Sequence, residues 1–337
     1  INIKVLNKYS QTPAILNKTS YGSLIPLYTN ETFNKASNVI YSNIGDNLRR
    51  YIFPNGESSI IYNVTVSNNG EFENVLKKIS GNDFRADIII INLKKDTYKL
   101  ASGFYKDKEW SYYIHLTHGA LYINGNGATI DDNYKNGFIT LEKGTKISVN
   151  NLTFTRFKRV FVNNGEVYCN GVSFVKNDAS FWATTTQGSV IYNKNTATFI
   201  NCVFDKNDNR HGASVYTYQD DMPAAVLYAE PGSLTNFVLC DFKTDYDTIH
   251  AVDGSMVVLY DKNRDNFNKL TKDLNNNFEA GSCLDYRPYS SFNVNRTATY
   301  TYNNVLKLAK DNRESIFNSN SSSFIFNLDK KTYTISS

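Results

Sequence analysis

Short apolar runs broken by Asn, Gly, Asp and Lys set the rhythm of this chain. In Gly119 to Phe157 the runs Ala120 to Ile123, Phe138 to Leu141 and Ile147 to Phe154 are bounded by turn residues and are too short for ordinary buried helices. Each predicts a strand. The phrase Asn151-Leu152-Thr153-Phe154 returns as Gly171-Val172-Ser173-Phe174, Asn201-Cys202-Val203-Phe204 and Leu239-Cys240-Asp241-Phe242. Leu152, Val172, Cys202 and Cys240 lie two residues before each phenylalanine and share its face, while Thr153, Ser173, Val203 and Asp241 point the other way.

That arrangement predicts ladders inside a β-solenoid, each coil covering the apolar face its neighbour cannot bury alone. The spacing between phenylalanines is one coil at first and grows downstream, as loop insertions between stackable strands require. An antiparallel sandwich with similar phrases is the competing reading, since hairpin spacing looks alike. The expected fold class is all-β, a right-handed parallel β-helix with a short N-terminal capping helix and loop insertions.

The helix is predicted over Glu71 to Ile79, where Phe72, Val75, Leu76 and Ile79 fall at helical spacing, with Asn68 or Asn69 as N-cap and Gly81 as stop. A helix there would hide the open end of the first coil. It is followed by the buried-strand run Ile88 to Leu93 and by Asp96 to Leu100. The end of the chain echoes this opening at a nearly constant offset. Asn304-Val305-Leu306-Lys307 matches Asn74 to Lys77, Phe324 to Leu328 matches the Ile88 to Leu93 run, and Lys331 to Ile335 matches Asp96 to Leu100. A domain-scale repeat predicts a tandem array.

The expected organisation is a leading segment or tail of a preceding domain (1–70), a capped parallel β-helix (71–261), a helix-plus-strand connector (262–301) and the start of a second repeat unit (302–337). Within the connector, Phe267, Leu270 and Leu274 predict a short helix, and Arg287 to Tyr302 alternates like an exposed strand.

Composition narrows the function classes. The chain has 337 residues, 41% of them hydrophobic, so it packs a core. Net charge is +4 with scattered basic residues, which lacks the footprint of a nucleic-acid binder. No stretch has the length of an apolar membrane span, and the N-terminus lacks signal-peptide organisation, so a mature or excised part of a longer protein is expected. Cys169, Cys202, Cys240 and Cys283 form no CxxC pair and no zinc-ligand pattern; Cys202 and Cys240, at equivalent ladder positions, read as small buried hydrophobes or as a disulfide one coil apart. No cofactor or metal is expected.

Candidate chemistry centres on acids. Asp220, Asp221, Asp245 and Asp247 could supply the paired carboxylates of a glycoside hydrolase, and Asp245, Asp247 and Asp253 near His250 could be drawn into the calcium cluster of a lyase. Solvated turn acids are the competing reading. His115, His118, His211 and His250 lack HExxH spacing, and no nucleophile elbow or phosphate-cradling loop is present. Asn17, Asn30, Asn63, Asn295 and Asn320 head N-glycosylation sequons. Asn151 heads another, but it falls in a predicted strand, where a side chain packed between coils is a poor acceptor. Tyrosines and asparagines on turns suit sugar rings, whose faces stack on aromatics and whose hydroxyls bond amides.

The opening EFENVLKKI and DIIIINLKKDTYKL, the phrase INGNGATIDDN, the stretch GFITLEKGTKISVNNLTF and the coil NCVFDKN resemble the large adhesin-like surface proteins of methanogenic archaea. The resemblance covers roughly 71–260 and, in echo, 302–335. It implies a right-handed parallel β-helix, tandem domains, an extracellular location at the cell surface, and non-enzymatic attachment to glycans or surface proteins of partner cells. GNGATIDDN also resembles the opening coil of polygalacturonase-type hydrolases and pectate lyases, in which Asp131-Asp132 is a structural turn. The Asn-Thr-Asp, Gly-His-Gly and Arg-Ile-Lys phrases of those hydrolases are missing, Arg210-His211-Gly212 being the nearest fragment. A β-helix lyase or hydrolase and a structural stalk remain the alternatives.

Overall fold

The computed structural model describes residues 40–52, 58–81, 84–106, 110–179, 188–208, 224–243, 248–272, 276–279, 281–289, 298–301 and 324–327. The chain divides into a unit spanning Ser37–Tyr289 and a second formed by Ile1–Ala36 with Ser290–Ser337. The described residues are mostly strands in parallel sheets, an all-β protein with two short helices.

In the first unit the long sheet opens with an antiparallel hairpin, Ile40–Gly45 and Leu48–Ile52, against Ser58–Val66. Every later step along its main path is parallel: Ile88–Leu93, Ala120–Asp131, Lys146–Thr155, Glu166–Asn170, Thr196–Ile200, Leu234–Val238, Met256–Asp261 and Cys283–Pro288. A second sheet runs Ser111–Leu116, Gly137–Leu141, Arg159–Asn163, Ile191–Asn193, Leu227–Ala229, Ile249–Ala251 and Asn277–Phe278, also parallel. Strands enter both sheets in chain order, so each pass of the chain adds one row to each.

The core lies between the sheets. Ile147, Val149, Leu152 and Phe154 from one row meet Phe138, Phe157 and Phe161 in a single apolar cluster. The repeated phrases stand in register, Phe154 opposite Phe174, Phe174 opposite Phe204, and Phe204 opposite Phe242, as the alternation predicts. Cys202 and Cys240 sit in the same buried column as free thiols. Burial pushes the Cys240 thiol well up, as it does a thiol without a charged partner.

Corners between strands repeat as regularly as the strands. Asn126, Asn151, Gly171, Asn201 and Leu239 all have positive φ, between 48° and 61°. This left-handed region is accessible to Gly and Asn and costly for Leu. At the opposite end of the row the turns Glu142 to Thr145, Glu230 to Ser233, Val252 to Ser255 and Glu279 to Ser282 share one closure. In each, the last residue donates from its backbone N–H and from its hydroxyl to the carbonyl three residues back, at 2.6–3.1 Å.

Helix α1 (Asn69–Ile79) forms where the pattern places it. Asn68 caps it by accepting from the Glu71 N–H, and Phe72, Val75, Leu76 and Ile79 are its buried face. Phe72 packs against Tyr98 at 5.2 Å, which ties the helix to the first rows. Helix α2 (Asp265–Lys272) buries Leu270; Leu274 lies outside the described residues. Among those residues no helix is long and apolar enough to cross a membrane. In the second unit Ala298–Thr301 pairs in parallel with Phe324–Asn327.

Candidate functional site

Along the second sheet, alternate residues face inward and outward. Ile114, Ile139, Phe161, Ile191, Leu227 and Ile249 enter the core, so their successors His115, Thr140, Val162, Tyr192, Tyr228 and His250 form an outer column in register. One relation recurs on this column. The ring of one row reaches a glutamate two residues beyond its partner in the next row: His115 Nε2 to Glu142 Oε1 at 2.9 Å, His250 Nε2 to Glu279 Oε1 at 2.9 Å, and the Tyr192 hydroxyl donating to Glu230 Oε1.

The rings also meet each other. Tyr105 stacks on His115 at 4.0 Å, Tyr192 meets Tyr228 edge to face at 5.6 Å, and Tyr228 lies 4.7 Å from His250. Beside them the buried Arg159 guanidinium lies 4.5 Å from the Trp110 ring and 5.5 Å from Tyr192, with Nε donating to the Gly188 carbonyl at 3.0 Å. Lys194 Nζ sits 4.6 Å over Tyr192. The face therefore joins π surfaces, cations and carboxylates in one strip.

Electrostatics follow from these contacts. The hydrogen bond from His250 holds the Glu279 carboxyl below its ordinary value, helped by the Asp253 N–H. Burial, then the hydrogen bond to Glu230, raises the Tyr192 hydroxyl. Tyr192 thus stays protonated and serves as a donor.

A second polar cluster closes the turn after Ala120–Asp131. Asp132 is buried and accepts from the Tyr113 hydroxyl at 2.6 Å, from Asn136 Nδ2 at 2.9 Å and from the Lys135 and Asn136 N–H groups at 2.7 and 2.5 Å. Burial outweighs these bonds and raises its carboxyl. Asp131 pairs with the Arg156 guanidinium through both oxygens, and Arg156 also donates to Asn133 Oδ1 at 3.0 Å. Both acids are committed to the turn.

Asp220, Asp221, Asp245, Asp247 and His211 lie outside the described residues, as do Asn17, Asn30, Asn295 and Asn320. Asp253 is described, and its backbone N–H donates to Glu279 at 3.1 Å. Among the described residues no group of three or more His, Cys, Asp or Glu is placed to hold a metal ion. Glu142, Glu230 and Glu279 were not singled out from sequence, although the phrases Glu-Lys-Gly-Thr, Glu-Pro-Gly-Ser and Glu-Ala-Gly-Ser carry the signal. Their gaps differ because the intervening loops do. In comparisons with family models, curated proteins and solved structures, nothing matches this chain.

Proposed function

We propose that the chain is a non-enzymatic attachment module of a cell-surface protein, a right-handed parallel β-helix that holds glycans along the outer face of its second sheet. The observation that carries the reading is the ring-to-glutamate relation made three times on that face, by His115, Tyr192 and His250. Rows of a parallel sheet repeat at about 4.8 Å, close to the advance of one sugar ring along a polysaccharide. The ring-to-glutamate relation recurs at intervals of three and two rows, with Thr140 and Val162 in the wider gap, so the face offers several weak contacts spaced by whole rows, and binding gains strength by their number.

The β-helix reading rests on two parallel sheets filled in chain order around one core. Parallel pairing of Ala298–Thr301 with Phe324–Asn327 parallels that of Ser58–Val66 with Ile88–Leu93, which supports a tandem organisation. The resemblance to adhesin-like surface proteins of methanogenic archaea supports the extracellular setting.

The test is retention of the purified chain on a panel of cell-wall and plant polysaccharides, with release of reducing or unsaturated ends read in the same tubes. Retention without cleavage, weakened at least tenfold by Tyr228→Ala, is the expected result. Cleavage would overturn the reading and direct attention to Asp220, Asp221, Asp245 and Asp247. Neither signal would leave a structural stalk as the better account.

A further inference from the structure

Of the sequon asparagines among the described residues, Asn63 and Asn151, the fold treats the two in opposite ways. Asn63 lies inside Ser58–Val66, half-buried, with its Oδ1 accepting from Asn92 Nδ2 at 3.0 Å; Asn92 in turn accepts from Asn124 Nδ2 at 2.7 Å. A sugar on Asn63 Nδ2 would leave Oδ1 able to accept, but it would stand within a strand that is paired on both sides. Asn151 belongs to Lys146–Thr155, yet it sits where the register against the previous row shifts, at φ 48°. It therefore leaves the pleat at a corner, and its side chain is exposed and makes no hydrogen bond among the described residues.

The rest of the sequon suits the same role. Leu152 is buried and fixes the backbone, while Thr153 faces outward and is partly exposed. The corner of the following row is Gly171, and nothing lies within 4 Å of where its Cβ would be. On the preceding row, Asn126 and Gly127 are exposed. Room for a bulky group runs along the corner on both sides of Asn151.

We propose that Asn151 is an acceptor for an N-linked glycan and that Asn63 is not, a modification site whose biological setting rests on the cell-surface reading above. The co-reactant is a lipid-linked oligosaccharide. Asn151 Nδ2 forms a bond to the anomeric carbon of the first sugar, the bond from that carbon to the lipid phosphate oxygen breaks, the phosphate leaves with the electron pair, and the Nδ2 proton passes to a base. Transfer takes place on the extended chain before the rows close; the corner then accommodates the product at Asn151, whereas a chain carrying a sugar at Asn63 cannot complete its paired strand and is lost from the secreted, folded protein. The corner leaves the product in solvent.

The experiment is secretion of the full chain, behind a supplied signal peptide, from a host that glycosylates Asn-x-Thr sequons. Enzymatic glycan release in heavy-oxygen water then marks each occupied Asn by mass, read by peptide mapping. The expected result is a mark at Asn151, none at Asn63, and loss of one glycan mass in both Asn151→Gln and Thr153→Ala. The second variant leaves the corner asparagine in place, so a folding defect in the first does not obscure the answer. A secreted, folded chain unmarked at Asn151, or marked equally at Asn63, would overturn the proposal. Because the host supplies export, such a result would count against the acceptor and leave the surface reading to the polysaccharide assay.

Discussion

Phe174 and Phe204 stand in register on adjacent rows, their ring centroids 5.3 Å apart and their planes within 8° of parallel. Phe154 extends the stack on one side at 5.8 Å and Phe242 on the other at 5.1 Å. All four rings are buried. The stack joins one row to the next along the core, so each ring closes the apolar face its neighbour leaves open.

Truncating the middle of that stack should be costly. Phe204→Ala removes a ring that also meets Phe199 and Phe237 at 5.5 Å, and a buried Phe→Ala change costs about 3–5 kcal/mol. Denaturant titration should show the midpoint falling sharply, with Phe204→Leu falling much less. Equal losses in the two variants would mean that ring stacking, rather than filled volume, holds the rows together.

Leu239 should be a weak corner. It has φ 51°, where the equivalent residues of other rows are Asn126, Asn151, Gly171 and Asn201. The left-handed conformation costs an ordinary side chain about 1–2 kcal/mol, and Asn tolerates it better. Leu239→Asn is expected to raise the thermal midpoint, and Asn201→Leu to lower it. A fall in Leu239→Asn would show that the packing of the leucine outweighs its strain.

Close approach at Gly137 predicts a steric penalty. A Cβ there would lie 2.1 Å from the Tyr112 ring, and Tyr112 is fully buried, so it has little room to retreat. Gly137→Ala should destabilise by about 1–3 kcal/mol, the usual cost of overpacking. Gly144→Ala is the control. Nothing lies within 4 Å of its Cβ position, and its cost should come only from φ 87°.

Asp132 makes a prediction about pH. Its carboxyl is raised above the ordinary 3.8 by burial, so folding favours the protonated form. The stability it contributes is present below the unfolded value and is lost as pH climbs through the folded one. Asp132→Asn should flatten stability over that window. It should also lower stability by roughly 2 kcal/mol at low pH, and by less as pH rises, since an amide has one accepting oxygen and cannot keep both the Lys135 and Asn136 N–H bonds made to Oδ2 and the Tyr113 bond made to Oδ1. Chemical denaturation from pH 3.5 to 7 reads both effects, and an unchanged slope would remove the assignment.

Legibility divided along a physical line. Alternation within one run of chain is local, so the strands, the shared face of Leu152 and Phe154, the face of α1 and the register of the four phenylalanines could all be read from residue order. Asn151 falls in a strand as residue order indicated, but whether its side chain packs between coils was settled by a positive φ at a register shift, which turns it outward. Which group meets which across rows is another matter. His115 finds Glu142, Tyr192 finds Glu230 and His250 finds Glu279 across gaps of unequal length; the Glu-x-Gly-Ser/Thr phrases mark the glutamates, but nothing in them names the ring that each one meets. Sequence alone determined that short strands would stack with their apolar face shared, since side-chain direction follows the pleat. Only the tertiary structure decided which outer side chains became neighbours, because the loops between rows set that distance and the backbone pairing, not the side chains, sets the register.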